Sequence, residues 1–285
     1  MSQFAPKQIL CPVDLSPASN AVLSWVRLIA EVSGTRVEVI HADWSEPPRY
    51  FTEGQIGALD AEAASRRQTL EREVQDLAQR VLGSRVSFTV SVLEGHAIEV
   101  ILQRLTQNPP DLVVMGSHGR SGVARILLGS VAENVVREAN CPTLIVKGQE
   151  IPSGLDHLQR VLCPVNLTDA SRECLETASG VATAIGAELS VLQAVEDDSP
   201  HGDVARQQLC HWVPEDVRAH CHMSEVVLKG DAAEQIILFA RREKTDLIVL
   251  GAEHKSFLEF SILGHTTERV LRHGPSSVLL LQRLE

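Results

Sequence analysis

The chain has 285 residues, with 37 acidic against 26 basic side chains and a formal charge of −11. At 44% hydrophobic and 22% charged it is too apolar for a disordered chain and too charged for a membrane bundle. The length suits two domains, and the acidic balance argues against a protein that grips nucleic acid by neutralising phosphates.

The first residues, MSQFAPKQILCPVDLS, lack the charged start, apolar stretch and cleavage site of a secretion signal. No apolar run approaches the ~20 residues of a membrane helix. The six cysteines, at 11, 141, 163, 174, 210 and 221, do not read as a disulfide framework. These features predict a cytoplasmic protein with no membrane partner.

Residues 9–13 form a short apolar run ending in turn chemistry, the first expected strand. Ser16 offers a helix cap with Pro17 at the first helical position. Apolar residues at Ala18, Ala21, Val22, Trp25, Leu28, Ile29 and Val32 then keep helical spacing until Gly34 stops it. Strands follow at 37–42, 86–93, 112–115 and 143–146, and helices at 58–82, 96–107 and 130–139. Strands separated by helices imply a parallel sheet, whose ligands sit beyond the carboxyl ends of the strands where strand order reverses.

The pattern then repeats. ILCPVDLS (9–16) returns as VLCPVNLT (161–168), and PDLVVMG (110–116) returns as TDLIVLG (245–251). The second unit is 17 residues shorter, which places the missing piece within 43–60. The linker falls in 147–157, giving domains 1–150 and 151–285.

After the fourth strand comes GSHGRSGVARILLGSVAEN (116–134), with Gly116, Gly119 and Gly129-Ser130 spaced G-x2-G-x9-G-S. Glycines let backbone amides approach an anion closely, and a helix opening at Ser130 offers free N–H groups to it. Ser130 and Glu133 also have capping-box spacing. A lone glycine loop would read as a tight turn; three glycines and a serine after a buried strand read as a phosphate site.

These residues resemble the universal stress protein family, specifically its tandem-domain members with the ATP-binding motif G-x2-G-x9-G-[ST]. The resemblance implies two tandem Rossmann-like domains of the adenine nucleotide alpha-hydrolase type. Each would be a five-stranded, mainly parallel α/β sheet between helices, pairing with the other through its last strand as a pseudo-dimer. It also implies a stress sensor or regulator that binds ATP, with or without magnesium, beside an unidentified regulatory partner and with room for a further homodimer. Carried over by position, Pro12, Val13 and Asp14 border the base and ribose, and Ala42 meets the adenine. Gly116, His118, Gly119, Arg120, Gly129, Ser130 and Val131 surround the phosphates. Asp14 has a plainer reading as a loop aspartate assisting the Ser16 cap. A slow ATPase and a nucleotide-free scaffold are the alternative functions, and no Walker lysine follows the loop.

In the second unit Gly119 becomes His254, Ser130 becomes His265 and Asp14 becomes Asn166. The two imidazoles are expected to narrow or fill that site, leaving a partner domain or one with a changed ligand. Cys210-His211 and His220-Cys221-His222 hold metal-ligand residue types at a spacing that matches no zinc pattern. His220 and His222 would share one face of the third strand of this unit.

Overall fold

The computed structural model describes residues 4–44, 53–118, 128–148, 158–195, 202–252, 255–257 and 260–282. β1 (Gln8–Pro12) buries Ile9 and Cys11 on one face and Leu10 on the other, as a strand covered on both sides must. α1 (Ala18–Ser33) packs Val22, Trp25 and Val26 inward and ends at Gly34, whose φ of 64° is the left-handed cap glycine adopts without strain. Then come β2 (Arg36–Asp43), α2 (Glu53–Leu82), β3 (Phe88–Glu94), α3 (Ala97–Gln107), β4 (Leu112–Gly116), α4 (Ser130–Glu138) and β5 (Thr143–Val146). Neighbouring strands run parallel in the order β3-β2-β1-β4-β5.

The second half repeats the plan with β6 (Arg160–Val165), α5 (Asp169–Ile185), β7 (Glu188–Val195), α6 (Gly202–Trp212), α7 (Glu215–His220) and β8 (Met223–Lys229). It continues through α8 (Ala232–Arg242), β9 (Leu247–Ala252), β10 (Lys255–Phe257), β11 (Phe260–Ile262), α9 (His265–His273) and β12 (Ser277–Gln282). β10 and β11 form an antiparallel hairpin that the sequence reading did not anticipate.

β5 and β12 pair antiparallel, placing Leu144 opposite Leu279 and Ile145 opposite Val278. The two halves thereby form one sheet of ten strands, and the expected pseudo-dimer is a continuous hydrogen-bonded seam. Polar contacts flank it. The Lys147 N–H donates to Ser277 Oγ at 3.1 Å, and Arg272 reaches Glu133 of the other half at 3.0 Å. One apolar cluster lies on the face covered by α1, α2, α5 and α6, and a second on the face of α3, α4, α8 and α9. Among the described residues no helix is long and apolar enough to cross a membrane.

Several local expectations need correction. Ser16 does not cap α1: Pro17 holds the cap position without a side-chain bond, and the Ser16 N–H instead donates to Asp14 Oδ1 at 3.0 Å. The Ser130–Glu133 capping box does not form either. Gly129 is the cap residue, Ser130 is the first helical residue, and Glu133 pairs with Arg137 and Arg272. The shortening of the second half falls largely within a helix, since α6 and α7 (11 and 6 residues) stand where α2 has 30. His220 closes α7 and His222 precedes β8, so the two imidazoles do not share a strand face.

Candidate functional site

The first-half strand order reverses between β1 and β4, and a cavity of about 360 Å³ opens there beyond their carboxyl ends. Chain departure from β1 is sharp. The Val13 N–H extends the ladder to the Ile40 carbonyl at 2.9 Å, and Leu15 then takes a φ of 62°, rare for a branched side chain. Asp14 Oδ1 accepts from the Ser16 N–H and the Ser19 hydroxyl, both at 3.0 Å, so the carboxylate organises this turn while standing in the cavity wall. Leu167, the counterpart of Leu15, repeats the conformation with a φ of 60°. The strained turn belongs to both units.

From β2, Ile40, His41 and Ala42 contribute one end of the wall, facing Val100 and Ile101 of α3 and Met115 of β4. His41 is buried, with Nδ1 2.8 Å from the Val13 carbonyl, which ties the β1 exit to β2. This end is largely apolar.

The opposite end is polar. A Cβ on Gly116 would sit 3.2 Å from the His118 carbonyl oxygen and 3.6 Å from Val22 Cγ2, so the chain turns where a side chain fits poorly. The Ser117 N–H donates to Val146 O, and the Gly129 N–H donates to Ser117 O at 2.8 Å. That last bond folds the start of α4 back against the end of β4. The backbone N–H groups of Ser130, Val131 and Ala132 belong to the first turn, which no intrahelical carbonyl satisfies, and all three residues line the cavity. His118 lines it as well. Its Nδ1 lies 2.9 Å from Ser117 Oγ, and its buried Nε2 has no partner among the described residues. In the tautomer where Ser117 donates to Nδ1, Nε2–H is a buried donor with no acceptor among the described residues.

Nine of the eleven site residues read from the sequence thus meet around one cavity: Pro12, Val13, Asp14, Ala42, Gly116, His118, Gly129, Ser130 and Val131. Gly119 and Arg120 lie outside the described residues. Sequence reading missed His41, Ser19, Val100 and Ile101. Ser19 had a signal in its helical spacing from the turn, whereas nothing local marks where α3 packs.

The second half carries a cavity of its own, about 500 Å³, between β6, β9 and the start of α9. His265, one of the two histidines expected to narrow this site, is the first residue of α9 and stands in the cavity wall. His254 lies outside the described residues.

The family model described as the universal stress protein family matches residues 6–147 and 215–282. A universal stress protein of Thermus aquaticus is 32% identical over 141 residues, half of this chain and 98% of its own length. One from Mycobacterium tuberculosis is 24% identical over 295 residues, covering 96% of this chain and 97% of its own. The crystal structure of a universal stress protein from Archaeoglobus fulgidus superposes with a TM-score of 0.68 at 21% identity, over 98% of this chain and 99% of that one. With the sequence motif, the repeated fold and the matched segments in agreement, the chain belongs to the universal stress protein family.

Proposed function

We propose that the chain comprises two universal stress protein domains, 1–150 and 151–285, and that the first binds ATP as the input of a cytoplasmic stress sensor or regulator. The observation that carries this reading is the shape of the first cavity. It has an apolar slot at Ala42, a carboxylate at Asp14, and unsatisfied donors at the start of α4. Adenine fits the slot, ribose hydroxyls donate to Asp14, and the phosphates take the helix N–H groups, the Ser130 hydroxyl and His118. The buried His118 Nε2, without a partner among the described residues, is in keeping with a phosphate there. Asp14 is the one carboxylate among the described lining residues, so magnesium would be held chiefly through the nucleotide's own phosphates. The output passes to a regulatory protein partner rather than to nucleic acid, in keeping with the charge of −11.

Mass analysis of nucleotide released from purified, denatured protein tests this. Co-purified ATP near one per chain is expected. ADP alone would replace the sensor with an ATPase, and empty protein that also fails to bind added ATP would leave a scaffold.

A further inference from the structure

α4 and α9, whose starts line the two cavities, meet beside the seam through a charged cluster. The pattern E-x3-R stands in both helices, as Glu133 with Arg137 in α4 and Glu268 with Arg272 in α9. Each arginine holds the glutamate of its own helix at 3.0 Å, one turn away. Arg272 also crosses to α4. Its guanidinium donates to Glu133 Oε2 at 3.0 Å, while Arg137 donates to Oε1 at the same distance. Both oxygens of Glu133 are therefore engaged, one of them by the other half of the chain. Gln282 of β12 adds a bond to the Val136 carbonyl at 3.0 Å, which fixes α4 against the second half.

Without Arg272 the Glu133 carboxylate has another destination. Glu133 follows Ser130 by three residues, the spacing at which a glutamate reaches back to a free N–H of its own helix start. A carboxylate so placed is favoured by the helix dipole and competes with an anion for the same donors. Its charge acts there even without that contact. Three residues rise about 4.5 Å along a helix, less than the Debye length of about 8 Å at physiological ionic strength. The two carboxylates and two guanidinium groups of the cluster balance. Removing Arg272 leaves one negative charge in excess beside the helix start.

We propose that Arg272, supplied by the second half, is a positioning residue for the nucleotide site of the first: it draws Glu133 away from the start of α4 and cancels its charge, leaving the helix N–H groups to the phosphates. This rests on the reading of the first cavity as an ATP site. It gives the second half a part in nucleotide binding that acts through the seam and is independent of what its own cavity holds.

The test is a double-mutant cycle read by calorimetric titration of the full chain with ATP, beside thermal melts. Arg272→Gln is expected to bind ATP about three- to tenfold more weakly than wild type. Glu133→Gln alone should bind as tightly as wild type or more tightly. Adding it to Arg272→Gln should restore affinity to within about twofold of Glu133→Gln alone. An arginine that merely held α9 in place would weaken ATP equally in both backgrounds. If Arg272→Gln does not fold, Arg272→Met keeps the apolar stem and takes its place in the cycle. Unaltered affinity in the Arg272 variant, or equal weakening in the wild-type and Glu133→Gln backgrounds, overturns this proposal alone. Wild type that binds no ATP overturns the nucleotide reading and this proposal with it.

Discussion

Replacing Ser130 with proline tests the proposed phosphate end of the first cavity without disturbing the helix that forms it. Ser130 is the first residue of α4, the helical position where proline is best tolerated because the missing N–H has no intrahelical partner. The preceding Gly129 has φ −67° and ψ 152°, the extended conformation that a residue before proline prefers. The substitution should therefore leave stability unchanged or raise it by about 0.4–1 kcal/mol. It removes two donors from the anion, the hydroxyl and the backbone N–H. Hydrogen bonds to charged groups contribute about 1.5–3 kcal/mol each, so together they are worth on the order of 3–6 kcal/mol. At about 1.4 kcal/mol per tenfold, ATP should bind roughly 10²–10⁴-fold more weakly. Ser130→Ala removes the hydroxyl alone and should weaken binding roughly 10–100-fold, so the gap between the variants isolates the backbone donor. Titration calorimetry with ATP, beside thermal melts, measures both quantities. A folded Ser130→Pro protein that binds ATP within threefold of wild type would show that the start of α4 does not hold phosphate.

The seam and a partly buried lysine give two further expectations. Leu279 is 2% exposed and faces Leu144 across the β5–β12 pairing, so Leu279→Ala should cost about 2–5 kcal/mol in urea unfolding. A loss below about 1 kcal/mol would mean the seam is loosely packed. Burial lowers the Lys147 ammonium from 10.5 to about 8, while its Nζ donates to the Gly274 carbonyl at 2.8 Å. A folded-state value below the unfolded one means that the unfolded chain binds more protons between those limits. The burden, on the order of 3 kcal/mol, is thus full below pH 8 and fades as pH rises toward 10.5. The stability of Lys147→Met relative to wild type should accordingly be greatest below pH 8 and decline toward pH 10.5; a difference that stays flat across this range contradicts the burial argument.

Much of this architecture is legible in the linear chain because it depends on local chemistry. Alternating apolar runs and helical spacing gave the strand–helix order, and the echo of ILCPVDLS in VLCPVNLT gave the repeat. Gly116, Gly129 and Ser130 mark one wall of the first cavity because a tight turn and a helix start are properties of a few consecutive residues. Caps were less legible. Ser16 and Ser130 have capping residue types and spacing, yet in the fold a neighbouring carboxylate takes the Ser16 N–H and the chain enters α4 one residue earlier.

What only the tertiary structure decided is which groups meet across long separations. His41 reaches the Val13 carbonyl, α3 supplies Val100 and Ile101 to the slot, and Leu279 seals against Leu144, 135 positions away in the chain. The second cavity is the clearest case. From residue identities alone, histidines in place of Gly119 and Ser130 suggest a narrowed site, and of the two His265 falls among the described residues. Whether a ring closes a cavity depends on the direction its helix gives it, and α9 sets His265 in the wall. Asn166 likewise reads as a conservative change until Thr168 and Ser171 are seen to occupy its oxygen and leave only its donor. Side-chain type is written in the sequence; direction and prior engagement are fixed by the packing of distant segments.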